Sequence, residues 1–298
     1  MGRLRTFKDK TARHLMLGIA IFVILFLLVM GLSLFFKALP IMREKSLWVL
    51  LTSADWKPFK GDFGFLPFIL STFYVSLIAI IIALPFSVLT SIYLNSYASK
   101  NIKRFFEPVI DLLSGIPPII YGVWGTLTIV PLIANIIAPR FVEFSSGYTI
   151  LAAGIVLAIM IIPLLISIMV EVFRSIPKEM TDASLSMGAT KWQTVKKVIL
   201  RRSVSGIIAA TVLALSRAFG ETMAVLMVCG NVTQIPHSIF DAGYPLPALI
   251  ANNYGEMLSM PNYESALMLS ALLLFVIVVL FNGISRITLN QIERRYQF

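Results

Sequence analysis

Six runs of apolar residues, separated by shorter polar segments, organise this chain: approximately 15–36, 68–94, 109–138, 148–170, 204–228 and 265–285. Each is long enough to cross the hydrocarbon core of a bilayer as a helix, which takes about 20 residues. Helices are the expected form, because a spanning segment must satisfy its backbone hydrogen bonds internally. The third run is too long for one simple helix and contains Pro117-Pro118 and Pro131. It predicts a span followed by a bent or interfacial segment. The first run follows a basic stretch, as a secretory signal would. It exceeds the roughly 7–15 apolar residues of such signals, and no small-x-small cleavage site follows. It reads as an uncleaved first span.

Composition agrees with that pattern. The chain is 58% hydrophobic and 13% charged, with a mean hydropathy of +0.87, whereas soluble domains carry about 25% charged residues. The Lys and Arg residues divide unequally between the two faces. The N-terminus, the 95–108 and 171–203 segments and the C-terminus hold 18 of them. The opposite face holds six: Lys37, Arg43, Lys45, Lys57, Lys60 and Arg140. The richer face, with both termini, is therefore expected in the cytoplasm. The net charge of +10 is mostly this topology signal. Its cations are scattered over short loops, which argues against a nucleic-acid partner. The single Cys229 excludes an intramolecular disulfide, His14 and His237 lack metal-ligand spacing, and no phosphate-cradling GxxxxGK[ST] loop occurs. The Asn231-Val232-Thr233 sequon is best explained by chance.

The 171–203 segment is the most organised polar stretch. Pro177 suits the first turn of a helix, and Met180, Ala183, Ser184 and Met187 recur on one helical face. Gly188 is a natural stop. Thr190 and Gln193 stand at capping-box spacing and start a second helix carrying Lys191, Lys196, Lys197, Arg201 and Arg202. Such a helix–Gly–helix elbow fits two roles: an amphipathic element held in the headgroups, or a knob that docks in a groove of a soluble partner. Periodicity does not choose between them.

The other unusual feature is Arg217 inside the fifth apolar run, with Glu221 four residues on. A charge at the bilayer centre costs roughly 3 kcal/mol on insertion scales, so such a residue faces protein or a watery path. On a continuous helix the i, i+4 spacing lets Glu221 hold Arg217. Gly220 lets another backbone approach, and Ser216 and Thr222 add hydroxyls nearby. A guanidinium presents a planar fork of donors suited to oxyanions. The alternative is an intrahelical pair that only aids packing, a costly device because desolvation offsets the attraction. Asp111 is expected near a helix N-terminus at the start of the third span. Pro85, Pro117-Pro118 and Pro163 mark bends or simple kinks. The outer 229–264 loop lacks Lys and Arg, and carries Asp241, Glu256 and Glu264.

The elbow resembles the EAA loop of ABC importer permeases. Asp182-Ala183-Ser184 takes the Glu-Ala-Ala place, Gly188 the glycine, and Val198 and Leu200 the Ile and Leu places. Arg201 stands where that pattern ends in Pro. Residues 61–94, 110–125 (IDLLSGIPPIIYGVWG) and 216–231 (SRAFGETMAVLMVCGN) are similar to the phosphate-specific PstC branch. The resemblance implies an all-α polytopic fold with six transmembrane helices, of the type I importer (MetI-like) kind. Its domain plan is residues 1–64 (first span and outer loop), a 65–289 core with a coupling loop at 175–202, and a 290–298 tail. It also implies ATPase coupling through Asp182, Ala183 and Gly188, and a translocation pathway through Arg217 and Glu221. The implied partners are a PstA-like second permease, a PstB-like ATPase dimer, a PstS-like phosphate-binding protein, inorganic phosphate and the bilayer. ATP and Mg would be bound by the ATPase, leaving this chain without a cofactor or a catalytic residue. The rival expectations are a permease for molybdate, tungstate or sulfate, an ion-coupled secondary transporter, and a membrane enzyme acting on a lipid phosphate. The last would need an acid–base cluster that the chain lacks.

Overall fold

The apolar runs do form long helices, but the fifth breaks after Gly220, where the sequence pattern is smooth, and the third is interrupted at Pro117-Pro118. The structure, a computed structural model, describes the backbone of residues 2–255 and 261–296, and the side chains of residues 10–255 and 262–287. Glu256 and the 290–298 tail lie outside the described side chains. The helices in chain order are α1 (Gly2–Glu44), α2 (Leu47–Thr52), α3 (Leu66–Ile92), α4 (Lys100–Ser114), α5 (Pro118–Trp124), α6 (Val130–Leu132) and α7 (Ile150–Arg174). They continue with α8 (Lys178–Ser186), α9 (Lys191–Thr194), α10 (Leu200–Arg202), α11 (Val204–Gly220), α12 (Met223–Val228), α13 (Leu246–Asn253) and α14 (Pro261–Tyr296). A two-stranded antiparallel hairpin, β1 (Trp56–Lys57) and β2 (Asp62–Phe63), turns at Gly61, whose φ of 76° favours glycine.

Among the described residues, five helical stretches are long and apolar enough to cross a membrane: Lys10–Glu44, Leu66–Tyr97, Pro118–Arg140, Ile150–Arg174 and Asn262–Ile287. A sixth arises if Lys191–Arg202 and Val204–Gly220 are one span bent by 65°. The third span therefore begins at Pro118 rather than near 109. Residues 109–114 belong to α4, which ends before Gly115 and Pro117, because the residue before a proline avoids helical backbone. The irregular segment precedes the span instead of following it. Asp111 consequently lies exposed in the last turn of α4, not at a helix N-terminus. Pro131 does not break the span. It is accommodated between π-helical turns at Gly125–Ile129 and Ile133–Ile137.

α7 is the centre of the molecule, with 15 buried residues including Leu157, Ile161, Leu165 and Phe173. Lipid gives two apolar helices little reason to associate, so contact depends on close packing and hydrogen bonds. α3 supplies both. Gly154 of α7 leaves no room for a Cβ against Ile78 of α3. The Ser87 and Ser91 hydroxyls of α3 donate to the Ile162 and Ile166 carbonyls across the seam, each at 3.4 Å. Gly206 lets α11 reach Val172 of α7 in the same way. α1 packs on α14, where Phe275 sits 3.1 Å from the Cβ position of Gly31. Its apolar side chains from Leu15 to Val29 stay exposed, as suits a helix facing lipid.

A small cap covers the end of the bundle away from the elbow. Trp56 packs edge-on against Phe63, Phe65, Phe68 and Tyr263. The chain entering α13 is anchored to α3, where the Tyr244 and Leu246 N–H groups donate to Ser71 Oγ (3.1 Å) and Thr72 Oγ1 (2.9 Å). Lys45 donates to Asp62 at 2.9 Å, which holds that carboxyl below its usual range.

Candidate functional site

Arg217 occupies the last turn of α11, and the helix stops three residues later. Glu221 leaves helical backbone (φ −72°, ψ 122°), while its N–H closes the final turn on the Ala218 carbonyl at 3.2 Å. The expected i, i+4 geometry is therefore lost. Among the described residues, neither Arg217 nor Glu221 takes part in an ion pair. Glu221 instead accepts the Ala224 N–H through Oε1 at 3.3 Å, capping the first turn of α12. Each charge thus sits at the helix end that suits its sign: the guanidinium near a C-terminus, the carboxylate at an N-terminus. That arrangement reduces the burden of carrying both inside an apolar region without pairing them.

The side of the break facing away from the bundle is open. Gly220 is exposed and nothing lies within 4 Å of its Cβ position, so the close backbone approach expected there does not occur within this chain. Arg217 and Glu221 are both half-buried. Thr222 Oγ1 turns back to the Gly220 carbonyl (3.3 Å), and the buried Ser216 Oγ has no partner among the described residues.

Two stretches remote in sequence meet here. The Tyr121 hydroxyl of α5 donates to the Leu113 carbonyl at 2.8 Å. Gly122 is pressed on α12, its Cβ position 2.8 Å from Met227 Sδ and 3.2 Å from Ala224 Cα. Thr126 Oγ1 spans the same seam to the Met227 carbonyl at 3.2 Å. Gly122 and Thr126 meet α12 in a contact that reasoning from sequence did not single out. The small residues Gly122 and Gly125 were the available signal for close packing there.

The elbow forms much as its residues dictate. Gly188 has φ 81°, and no atom lies within 4 Å of its Cβ position, so backbone conformation rather than space demands glycine. Both halves of the capping box form: Thr190 N–H to Gln193 Oε1 at 2.8 Å, and Gln193 N–H to Thr190 Oγ1 at 3.2 Å. The Ser184 and Thr194 hydroxyls, 2.9 Å apart, tie the two arms together. Pro177 stands one residue earlier than expected, as the N-cap of α8. The four-residue face also divides. Met180 and Ser184 are half-buried, while Ala183 and Met187 are exposed, Met187 by 86%. Met187, Leu185 and Trp192 make an exposed apolar tip, with Asp182 exposed beside it. Arg201, in the place of the family's proline, lies within helix α10. The chain bends at Ser203 instead, after a π-helical turn at Val195–Ile199. Among the described residues, no group of three or more His, Cys, Asp or Glu is placed to hold a metal ion.

Comparison with known proteins adds sequence and fold relatives. The family model "Binding-protein-dependent transport system inner membrane component" matches residues 87–297. The phosphate transport system permease protein PstC of Xylella fastidiosa is 35% identical over 257 residues, covering 82% of this chain and 79% of that protein. The probable phosphate transport system permease protein PstC of Methanocaldococcus jannaschii is 36% identical over 280 residues, 88% of each chain. Among solved structures, a chain of the bacterial alginate ABC transporter superposes with a TM-score of 0.64 at 14% identity, covering 97% of this chain and 96% of its own. A chain of the inward-facing MetNI methionine ABC transporter gives 0.53 at 21% identity, covering 74% and 91%. At such identities the two structures speak for the fold alone.

Proposed function

Because the chain belongs to the binding-protein-dependent transport system inner membrane components, and within them to the PstC permeases, we propose that its broken span is where phosphate passes. The protein is a multi-pass permease subunit of an ATP-binding-cassette importer for inorganic phosphate, not an enzyme. It works with a substrate-binding protein and a separate ATPase. The observation that carries the pathway reading is the half-buried Arg217, in no ion pair among the described residues, beside an open face at the break between α11 and α12. Interrupted helices whose ends carry the site are a recurrent way to bind ions inside a membrane.

In this reading the elbow side is cytoplasmic, as the excess of Lys and Arg there requires. A PstA-like second permease closes the open face around Gly220 and completes the passage. A PstS-like protein delivers phosphate to the opposite side. PstB-like ATPase subunits, which bind ATP and Mg, receive the exposed elbow tip near Asp182, Ala183 and Gly188. Phosphate offers several oxygen acceptors and at neutral pH is always anionic. The Arg217 fork meets two of those oxygens while Glu221, held at the start of α12, limits how tightly the anion is retained. A transporter must release its cargo, so a contact opposed by a nearby carboxylate serves better than a closed site. Nucleotide drives the cycle only by binding the two conformations differently, and the elbow carries that difference to α11.

The test is uptake of labelled phosphate into proteoliposomes holding this chain with its second permease, ATPase and binding protein. Uptake that needs ATP and is stopped by vanadate is expected. Uptake that persists without ATP, or follows an ion gradient, contradicts the reading.

A further inference from the structure

A cleft of about 600 Å³ opens between the elbow and the helix ends on the same side of the bundle. Four cations line it: Lys103 of α4, Arg174 at the end of α7, and Lys178 and Lys191 at the starts of the two elbow arms. Asp182 is the one acid in the lining. Arg174 is engaged by Glu107 and Glu171, and Lys103 Nζ donates to the Asn95 carbonyl at 3.1 Å. Lys178 and Lys191 have no ion-pair partner among the described residues. The wall also contains Ser96, whose buried hydroxyl has no hydrogen-bond partner among the described residues. π-helical turns at Tyr93–Tyr97 and Val195–Ile199 shape two of its sides, a distortion common at functional sites.

Like charges gathered around one concavity repel, and a concave wall strengthens their field relative to an open surface. Among the described residues Asp182 forms no ion pair with Lys178 or Lys191, and Glu107 and Glu171 are engaged by Arg174. We propose that this cleft binds a phosphate-group anion, supplied either as the headgroup of an anionic lipid or as free inorganic phosphate. The unesterified oxygens on one phosphorus, two in a lipid headgroup and more in free phosphate, can meet cations from separate elements at once. Lys178, Asp182 and Lys191 ride on the elbow, whereas Lys103 and Arg174 belong to the bundle. A bound anion therefore braces the elbow against the spans. Its effect on coupling rests on the elbow reading above; the binding site itself does not.

The test uses the importer without its binding protein, in phosphatidylcholine nanodiscs, with hydrogen–deuterium exchange followed across residues 178–195. One arm adds millimolar inorganic phosphate, and the other replaces part of the lipid with phosphatidylglycerol. Slower exchange in either arm is expected, with the responding arm naming the source. Lys178→Gln with Lys191→Gln is expected to weaken the response by about tenfold or more, and the paired Arg substitutions to retain it. Arg217→Gln leaves it unchanged, which separates the cleft from the translocation pathway. No protection in either arm, or protection that survives the double Gln variant, overturns the proposal. ATP-driven phosphate uptake by the same subunits in proteoliposomes, with the binding protein added, keeps that failure distinct from a failure of the transport assignment.

Discussion

Arg217 and Glu221 show how differently two adjacent inferences fare at the scale of single residues. The energetic cost of a charge in an apolar run marked Arg217 from sequence alone, and it does lie half-buried at an open face. The partnership with Glu221 was not legible, because i, i+4 spacing presumes a continuous helix. The helix ends at Gly220, and a single glycine inside an apolar run does not announce a break. The cap that Glu221 makes to Ala224 N–H leads to a test. Glu221→Ala removes the acceptor and is expected to cost about 0.5–2 kcal/mol of stability, measured as a lower melting temperature. Glu221→Gln keeps an oxygen for the cap and loses only the charge. It is expected to melt near the parent while altering the rate of phosphate uptake. Unaltered uptake in the Gln variant means that the charge plays no part in translocation.

Among the elements, the elbow was the most legible, since each of its signals is local. The capping box, the glycine stop and the basic second arm all appear where residue chemistry puts them. The α4–α5 region was read less well, because proline positions mark a discontinuity without saying which side of it enters the membrane. Gly188 allows strain to be separated from bulk. Its φ of 81° penalises any residue with a Cβ, yet the space around it is empty. Gly188→Val is expected to lower ATPase coupling sharply, while Gly188→Asn, whose side chain tolerates left-handed backbone, retains most of it. Equal losses, measured as ATPase activity stimulated by the binding protein, mean that the glycine is needed for contact rather than conformation. Gly154 is the opposite case: its backbone is ordinary but Ile78 fills its flank. Gly154→Leu is expected to destabilise the α3–α7 seam by about 1–3 kcal/mol, seen as earlier thermal unfolding. An unchanged melting temperature contradicts that packing account.

For the molecule as a whole, hydropathy and charge predicted an all-helical membrane protein, and the family assignment agrees. Which spans touch was not legible. The small residues that decide it, Gly122, Gly154 and Gly206, act through partners far away in the chain. The break after Gly220 inside the fifth run was hidden as well, because apolar periodicity runs on across it, whereas the 65° turn at Ser203 falls where the polar 171–203 segment ends. The resulting molecule has a close-packed seam around α7, an elbow at one end, and a charged break beside an open face. The most direct test of their joint role is ATP-driven phosphate uptake by the reconstituted importer carrying Arg217→Gln or Arg217→Lys. With all subunits still co-purifying, Gln is expected to abolish uptake. Lys, a point charge without the planar fork, is expected to retain a small fraction. Uptake at the parent rate by an assembled Arg217→Gln importer would contradict the account.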